Sequence, residues 1–272
     1  LAWQKQKGYA CQWLEPPDIN KKFPFLSAGK DGGLWSENDG QVSSSRLAMA
    51  FAEGAKKLGA HFYENEGVGY VELEQPRLKT LRTNRSQFFA DRFIFAAGSW
   101  TGKLSGQKVP AGPVKGQILI YELPEKWRNA FRWRSPIFLS ALPKHIGGRC
   151  YFTPKMDGHL FVGASAQELD FDKTESEEVT LAIASEAEKY FPELSAFPFK
   201  GTWVGLRPAL PDRMPALGLV PGCENVYVAA GHFRNGVLLS PVTGQLLAEL
   251  ILNGKTSVDL KPFSPARFSA RA

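Results

Sequence analysis

One stretch constrains the fold of this chain more than any other: an apolar run that ends in a glycine turn and leads into an apolar helix. The run covers residues 225–230 and is followed by Gly231, a polar cluster and Gly236. Pro241 is typical of a first helical position, and the leucine-rich residues 245–252 predict the helix. Strand, turn and helix N-terminus together offer backbone N–H groups to an anion or a polar ring edge. An ordinary βα turn with a surface arginine fits these residues equally well.

The basic residues are dispersed, which argues against a nucleic-acid partner. The 272 residues carry a net charge of +6, but the lysine doublets at 21–22 and 56–57 are short. No basic stripe interleaved with aromatic residues appears, so we expect no nucleic-acid binding. A basic surface still attracts small carboxylates. The length suits one large domain or two medium ones.

The cysteines indicate a reducing compartment. Cys11, Cys150 and Cys223 are odd in number and far apart, so they predict neither a disulfide framework nor a metal site. The four histidines show no ligand spacing, and we expect no metal. No apolar run looks long enough to span a membrane, and no signal peptide is recognisable. We therefore expect a cytoplasmic protein without a transmembrane segment. The chain begins without Met, and we interpret it as cut from a longer one.

Hydrophobic periodicity predicts a mixed α/β chain. Ser43 or Ser44 is a plausible N-cap for a helix that ends at Gly59, and a second helix is expected over 176–190. We expect turns and short helices without sheet over 1–35, a break at 110–116, a surface element at 127–134 and a frayed end from Phe263. The expected strands span 60–64, 68–73, 78–83, 87–90, 92–97, 117–122, 137–140, 149–153, 159–164 and 202–207. Helices alternating with strands at both ends, around an antiparallel middle, predict two interleaved domains.

Two local features predict structure rather than chemistry. Ser99 or Thr101 could cap a helix after the strand at 92–97. The acidic run from Asp170 to Glu178 is typical of a solvated helix start.

The residues of the first stretch resemble a known family. The block Gly231-His-Phe-Arg-Asn-Gly236, followed by Val-Leu-Leu-Ser-Pro-Val-Thr-Gly244, is similar to the C-terminal flavin-contacting turn of glycine oxidases, in the D-amino-acid oxidase group of FAD-dependent amine oxidases. The resemblance implies a partial, Rossmann-like FAD-binding domain interleaved with an antiparallel-sheet substrate domain. The FAD domain would comprise 36–112 and 206–272, and the substrate domain 1–35 and 113–205.

The first βαβ unit of that FAD domain, with its glycine fingerprint, is missing from these residues. Gly67 and Gly69 flank Val68, but Glu72 stands where a third glycine would be needed. The pyrophosphate turn of a dinucleotide fold would come from the missing unit. We therefore expect Leu1–Ala272 alone to purify without the visible absorbance of bound flavin.

The resemblance also implies a set of cofactor contacts. Val68 matches a position whose backbone contacts the adenine, and Arg234 matches an arginine beside the flavin pyrimidine ring. A positive charge there would stabilise reduced, anionic flavin. By position His232 could lie near a flavin, but a hydrogen-bonded structural histidine is the more common interpretation. The implied FAD-binding residues are Val68, Ala97, Gly98, Trp100, Gly231, Arg234, Asn235, Gly236 and Val237.

Tyr151 and Arg207 are the implied substrate-binding residues. From the residues alone, a core tyrosine and a salt-bridged arginine are the more common interpretation, although an arginine fork at a strand end can pair with a carboxylate. In the family, the corresponding Tyr and Arg hold the substrate carboxylate, and we expect both residues to do so here. Ala166 matches a position that lines the substrate pocket, where some relatives have a larger Met.

The implied activity is the FAD-dependent oxidative deamination of glycine, sarcosine or small D-amino acids. Dioxygen would be the acceptor, and the products would be an imine, which water hydrolyses, and H2O2. The product would serve thiamine biosynthesis. Three alternatives stay open: a D-amino-acid dehydrogenase, a tRNA-modifying flavin oxidase, and an inactive, flavin-free fragment. A homo-oligomer also stays open.

Overall fold

The computed structural model describes residues 1–27, 31–69, 71, 73, 76–131 and 136–271. Its α-helices are α1 Ala2–Gln6, α2 Pro16–Lys22, α3 Ser44–Lys57, α4 Thr101–Leu104, α5 Glu125–Arg128, α6 Glu177–Tyr190 and α7 Gly236–Asn253. Its strands are β1 Cys11–Leu14, β2 Gly33–Ser36, β3 Thr80–Arg82, β4 Gln87–Phe89, β5 Phe93–Phe95, β6 Gly112–Glu122, β7 Ile137–Ala141, β8 Arg149–Pro154, β9 His159–Gly163, β10 Phe199–Ala209, β11 Ala216–Leu219 and β12 Val226–Ala230. The predicted mixed α/β class is confirmed.

The chain divides into two compact units, and each is made of several separate segments. Unit 1 contains Leu1–Ser43, Lys115–Gln167 and Lys173–Gly205. Unit 2 contains Ser44–Val114, Glu168–Asp172 and Leu206–Ala272. The assignment of one domain to FAD and the other to substrate stays a prediction.

The core of unit 1 forms between an antiparallel sheet and helix α6. The five-stranded sheet has the order β10-β6-β9-β8-β7. Val179, Ile183 and Ala187 recur at four-residue spacing, so they form one face of α6, and all three are fully buried. They belong to the same core cluster as Phe152 of the sheet. Ser176 caps the helix as its hydroxyl accepts a hydrogen bond from the Val179 N–H at 3.3 Å.

The core of unit 2 surrounds a smaller sheet with the order β11-β12-β5. Strand β12 runs antiparallel to β11 and parallel to β5. Asn225, which is 3% exposed, fixes the start of β12. Its amide side chain accepts a bond from the Leu78 N–H at 3.0 Å and donates to the carbonyls of Leu78 and Asp91 at 2.8 and 3.1 Å. Three hydrogen bonds from one buried side chain therefore hold two other segments against β12.

Several expectations are wrong. Residues 1–35 are not free of sheet, because β1 pairs with β2 across the register Cys11↔Ser36. Residues 60–64 form no strand, and the expected break at 110–116 is largely part of β6. Of the expected surface element at 127–134, residues 128 and 129 are exposed, but half-buried Trp127 packs its ring 5.0 Å from that of buried Phe191, and 132–134 lie outside the described residues. The expected strand at 68–73 falls partly outside the described residues.

Helix α7 begins earlier than the sequence predicts. It starts at Gly236, so Pro241 lies inside the helix and not at its first position. Proline has no N–H to bond the preceding turn, which normally interrupts a helix. Here the Ser240 hydroxyl donates to the Val237 carbonyl at 2.8 Å and satisfies the acceptor that the proline leaves unpaired. Gly254 ends the helix in the left-handed conformation, with φ of 70°.

The described chain after α7, as far as residue 271, forms regular turns, where the sequence predicts fraying. Residues Lys261–Phe263 and Pro265–Arg271 form short 3₁₀ helices. Arg267 binds the carboxylate of Asp212 at 2.7 Å and donates to the carbonyls of Met214 and Pro215. The bond to Arg267 lowers the pKa of Asp212.

One described helix is long and apolar enough to cross a membrane by length and composition. It covers the 21 residues Phe233–Asn253. The expectation that the chain has no such segment is therefore not supported. The helical run includes the turn at Phe233–Asn235, where the sequence pattern predicts a loop.

Candidate flavin and amino-acid site

Two glycine turns of unit 2 lie at the same edge of its sheet. In the parallel pair of β5 and β12, Phe95 stands opposite Val228. Gly98 follows Phe95 by three residues, and Gly231 follows Val228 by three. Ligands of open α/β sheets bind outside the carboxyl ends of the parallel strands, which is where both turns lie.

The two glycines differ in what surrounds them. Gly231 has φ of 77°, and a Cβ on it would lie 2.4 Å from Cδ1 of Leu210, a side chain that is 2% exposed. Gly98 has φ of 55°, and a Cβ on it would meet no atom within 4 Å. Gly231 is therefore required by packing, while Gly98 presents bare backbone to open space.

His232 ties the second turn to its surroundings. Its Nε2 lies 3.0 Å from Oγ1 of Thr243 on α7. Its backbone forms an antiparallel bridge with Ala209, at the end of β10. Burial lowers the pKa of His232, so the ring is neutral at physiological pH. The expectation of a hydrogen-bonded structural histidine is confirmed by these contacts.

Most predicted cofactor contacts lie on accessible surface. Exposed side chains belong to Val68, Trp100, Arg234, Asn235 and Val237. Ala97, Gly98 and Gly236 are half-buried, and Gly231 is buried. These residues combine an indole, a guanidinium, an amide and glycine backbone, which suits a planar ring with polar edges.

The helix after the first turn leaves a buried hydroxyl unpaired. Neither Ser99 nor Thr101 caps it, contrary to expectation. The Ser99 hydroxyl instead donates to the Leu206 carbonyl at 3.4 Å. Oγ1 of fully buried Thr101 has no hydrogen-bond partner among the described residues. An unpaired buried hydroxyl is costly and marks a place where a polar group fits. The residues present therefore fit a polar ring cofactor.

Tyr151 lies in the middle of the unit 1 sheet. It belongs to β8 and stands opposite Gly163 of β9 and Phe138 of β7. Its ring centroid is 5.5 Å from that of Phe138, and the side chain is half-buried. The space over Gly163 is filled by Ile118 of β6, whose Cγ2 would lie 2.6 Å from a Cβ on that glycine.

Arg207 lies near the end of β10 and is half-buried. It is two residues before Ala209, which bridges to His232. Arg207 belongs to unit 2 and Tyr151 to unit 1, so their meeting at one carboxylate stays a prediction.

Ala166 is held by backbone contacts within unit 1. Its N–H donates to the Ile146 carbonyl at 3.3 Å. Gly147 has φ of 63°, and a Cβ on it would lie 2.5 Å from the Ala166 carbonyl oxygen. The backbone at Ala166 is thus fixed by a close approach that only glycine permits, although its role in a substrate pocket stays a prediction.

The sequence analysis missed four residues around these turns. Phe233 adopts φ of 51°, unusual for a side chain of its size. Two guanidinium groups lie near its ring, with Cζ of Arg213 at 4.9 Å and that of Arg234 at 5.3 Å from the centroid. Arg213 also pairs with Glu168, and Phe171 packs on Trp100. The acidic run is exposed as predicted, and Glu177 and Glu178 lie in the first turn of α6, but the residues before Glu177 are not helical.

Comparisons with known proteins agree with this geometry. Residues 1–250 match the family described as "DAO: FAD dependent oxidoreductase". The bifunctional protein ThiO/ThiG of Synechocystis sp. is 32% identical over 256 residues, or 94% of this chain and 37% of its own length. The hydrogen cyanide synthase subunit HcnC of Pseudomonas aeruginosa is 32% identical over 94% of this chain and 60% of its own. The chain thus spans less than two thirds of both relatives.

A solved structure gives the same result. Glycine oxidase from Geobacillus kaustophilus superposes with a TM-score of 0.85 at 30% sequence identity, covering 98% of this chain and 69% of that one. The family match covers most of the sequence, and the fold agrees with it. The chain therefore belongs to the DAO family of FAD-dependent oxidoreductases.

Proposed function

We propose that this chain forms the amino-acid-binding part and most of the flavin-contacting part of an FAD-dependent amine oxidase. Its substrates would be glycine, sarcosine or small D-amino acids, with dioxygen as electron acceptor. Family membership supports the reaction class, and similarity to a glycine oxidase structure supports the substrate class. The observation that carries the proposal is the register of β5 and β12, which brings Gly98 and Gly231 to one sheet edge.

The residues at that edge would hold the cofactor. Gly98 and Gly231 offer backbone, Trp100 offers an indole face, and Asn235 offers amide donors and an acceptor. When bound, FAD would supply the two-electron oxidant for the carbon–nitrogen bond of the substrate and pass the electrons to dioxygen.

The chain itself would contribute charge and orientation. Arg234, exposed and 5.3 Å from the centroid of the Phe233 ring, would place a positive charge beside the edge of the flavin ring. A fixed charge stabilises negative charge that develops during reaction without reorganising. Arg234 would thus favour the reduced form of the ring.

Arg207 and Tyr151 would bind the substrate carboxylate. A guanidinium forms two parallel hydrogen bonds with a carboxylate, and a phenol can donate a third. These bonds would orient the α-carbon and leave the amine free, which is the orientation effect on which such a reaction depends.

The proposal is tested by glycine-dependent H2O2 formation with saturating added FAD. Arg207→Lys keeps the charge but loses the fork, so kcat/KM should fall by about 10- to 100-fold, mainly through KM. Arg82→Lys, at an exposed arginine that ends strand β3 of unit 2, is the matched control and should leave both constants unchanged. No peroxide at any FAD concentration, or equal effects of the two variants, would refute the assignment.

The same assay separates the other candidates. Reduction of a quinone analogue without peroxide would indicate a dehydrogenase, and activity only on a tRNA-borne amine would indicate a modifying oxidase. Cyanide formation from glycine would indicate a role like that in the name of the HcnC relative. Absence of flavin binding would indicate an inactive chain.

Three further parts of the proposal concern context. We propose a cytoplasmic location, which the three free cysteines support. We also propose that the product serves thiamine biosynthesis, as the family resemblance implies. A homo-oligomer is part of the proposal as well, and sedimentation of the purified protein would test it.

A further inference from the structure

The five residues Glu168–Asp172 are an isolated piece of unit 2. The chain on both sides, Lys115–Gln167 and Lys173–Gly205, belongs to unit 1. We call these five residues the strap. Along the sequence they lie between Ala166, the predicted pocket residue, and helix α6.

The neck of the strap is closed by Lys115. Its backbone exchanges two hydrogen bonds with Gln167, both of 2.9 Å, on one side of the strap. Its ammonium group donates to the Thr174 carbonyl on the other side. Lys115 is 2% exposed, so this closure is shielded from water. Because the two ends of the strap are already held together, the strap loses less conformational entropy when its own residues make contacts than a loop with free ends would.

The first contact of the strap is with the Gly98 turn. The Phe171 ring lies 5.2 Å from that of Trp100, at an interplanar angle of 39°. Nζ of Lys103 lies 3.9 Å from the same ring centroid. Phe171 therefore contacts both an indole and an ammonium group of the same turn and helix, an aromatic pair and a cation–π contact.

The second contact is with the Gly231 turn. The Glu168 carboxylate pairs with the Arg213 guanidinium, which lies over the Phe233 ring. Cζ of Arg234 lies 5.3 Å from the centroid of the same ring. Both Arg213 and Phe233 have positive φ, so their conformations need outside support to persist.

We propose that the strap positions both glycine turns at once, with Phe171 and Glu168 as its two positioning residues. Phe171 acts on Trp100, and Glu168 acts through Arg213 on Phe233 and Arg234. This inference rests on the proposed function for its consequence in flavin binding, but the restraint on the turns is a property of the protein alone.

The test uses hydrogen exchange of two amides with known acceptors. The Trp100 N–H donates to the Ala97 carbonyl at 3.0 Å, and the Asn235 N–H donates to the His232 carbonyl at 2.9 Å. Phe171→Leu should speed exchange at Trp100 by about three- to tenfold, as expected for loss of an aromatic pair, and leave Asn235 unchanged. Glu168→Gln should speed Asn235 by about twofold and leave Trp100 unchanged.

Two matched controls and one rescue accompany these variants. Phe199→Leu removes an aromatic pair of 5.5 Å in unit 1, and Glu224→Gln removes an exposed ion pair of unit 2. Both should leave the two amides unchanged. Phe171→Tyr should restore slow exchange at Trp100. The dissociation constant of added FAD should rise by about three- to tenfold in Phe171→Leu, with KM for glycine unchanged.

The outcomes separate the strap from the proposed function. Unchanged exchange in both strap variants, or equal changes in the controls, would overturn the strap even if FAD binds. Faster exchange at the paired amides, in a protein that never binds FAD, would support the restraint and refute the function. Faster exchange together with weaker FAD binding supports both.

Discussion

Replacing Gly231 by alanine tests the packing of the central turn. A Cβ at this position would lie 2.4 Å from Cδ1 and 2.6 Å from Cγ of Leu210, and the backbone would have to keep φ of 77°. Two separate penalties therefore apply. An L-residue in the left-handed region costs about 1–2 kcal/mol, and overpacking a filled core costs about 1–3 kcal/mol.

The sum, about 2–5 kcal/mol, is a large part of the total stability of an ordinary domain. Gly254→Ala separates the two penalties, because Gly254 has φ of 70° but a Cβ on it would meet no atom within 4 Å. That variant should lose only the conformational part, about 1–2 kcal/mol. The difference between the two variants is the cost of the clash with Leu210.

The assay is urea unfolding followed by circular dichroism, with the midpoint and slope fitted for each variant. In a Leu210→Ala background the clash is gone, so Gly231→Ala should cost about 1–3 kcal/mol less than in the wild type. Equal losses for Gly231→Ala and Gly254→Ala, or strict additivity with Leu210→Ala, would refute the reasoning. Either result would mean that Gly231 is not packed against Leu210 in the folded protein.

Three other predictions follow from the buried polar groups and the substrate arginine. Asn225→Ala removes three buried hydrogen bonds and should lower the free energy of unfolding by about 2–4 kcal/mol, measured in urea. Burial lowers the pKa of His232, so just below pH 6.5 the unfolded state binds a proton that the folded state does not. The free energy of unfolding should therefore fall as the pH drops from about 7.5 to about 5.5. His232→Gln should show a smaller fall over the same range. In Arg207→Lys, the FAD dissociation constant should match that of the wild type while KM for glycine rises, since the fork is expected to contact substrate only. A pH profile identical in His232→Gln, or weaker FAD binding in Arg207→Lys, would contradict these two assignments.

Local sequence patterns were enough to predict the elements that depend on local chemistry. Helix α6 followed from apolar residues at four-residue spacing and from glutamates in its first turn. Strand β12 and the glycine turn after it followed from an apolar run that stops at Gly231. Each of these signals lies within one or two turns of chain, where side-chain period and backbone preference act directly.

Features that depend on distant partners could not be predicted in this way. Strand β1 exists because β2 pairs with it, and neither has strong alternation of its own. Pro241 looked like a helix start because the sequence cannot show that Ser240 satisfies the Val237 carbonyl. The strap was missed because its acidic residues suggested solvent, while Phe171 finds its partner more than 60 residues earlier in the chain.

The candidate site was predicted mainly through a resemblance in the Gly231–Gly236 block and less through residue chemistry. From residue chemistry alone, exposed Arg234 cannot be distinguished from the other arginines on the surface. What the structure adds is the shared edge, where Gly98 and Gly231 follow opposed positions of one parallel pair. The pairing of two strands about 130 residues apart cannot be predicted from the residues next to either strand.

Equilibrium titration with FAD, followed by flavin fluorescence, tests the central claim most directly. Gly98→Ala and Gly106→Ala are matched, because the two glycines have φ of 55° and 59° and neither has an atom near its side-chain position. Because the pyrophosphate turn is missing from these residues, wild-type binding should be weak but saturable with added FAD. If the flavin approaches the backbone at Gly98, Gly98→Ala raises the dissociation constant by about tenfold or more, and Gly106→Ala changes it by less than about twofold. No saturable binding, or equal effects of the two substitutions, would contradict the account.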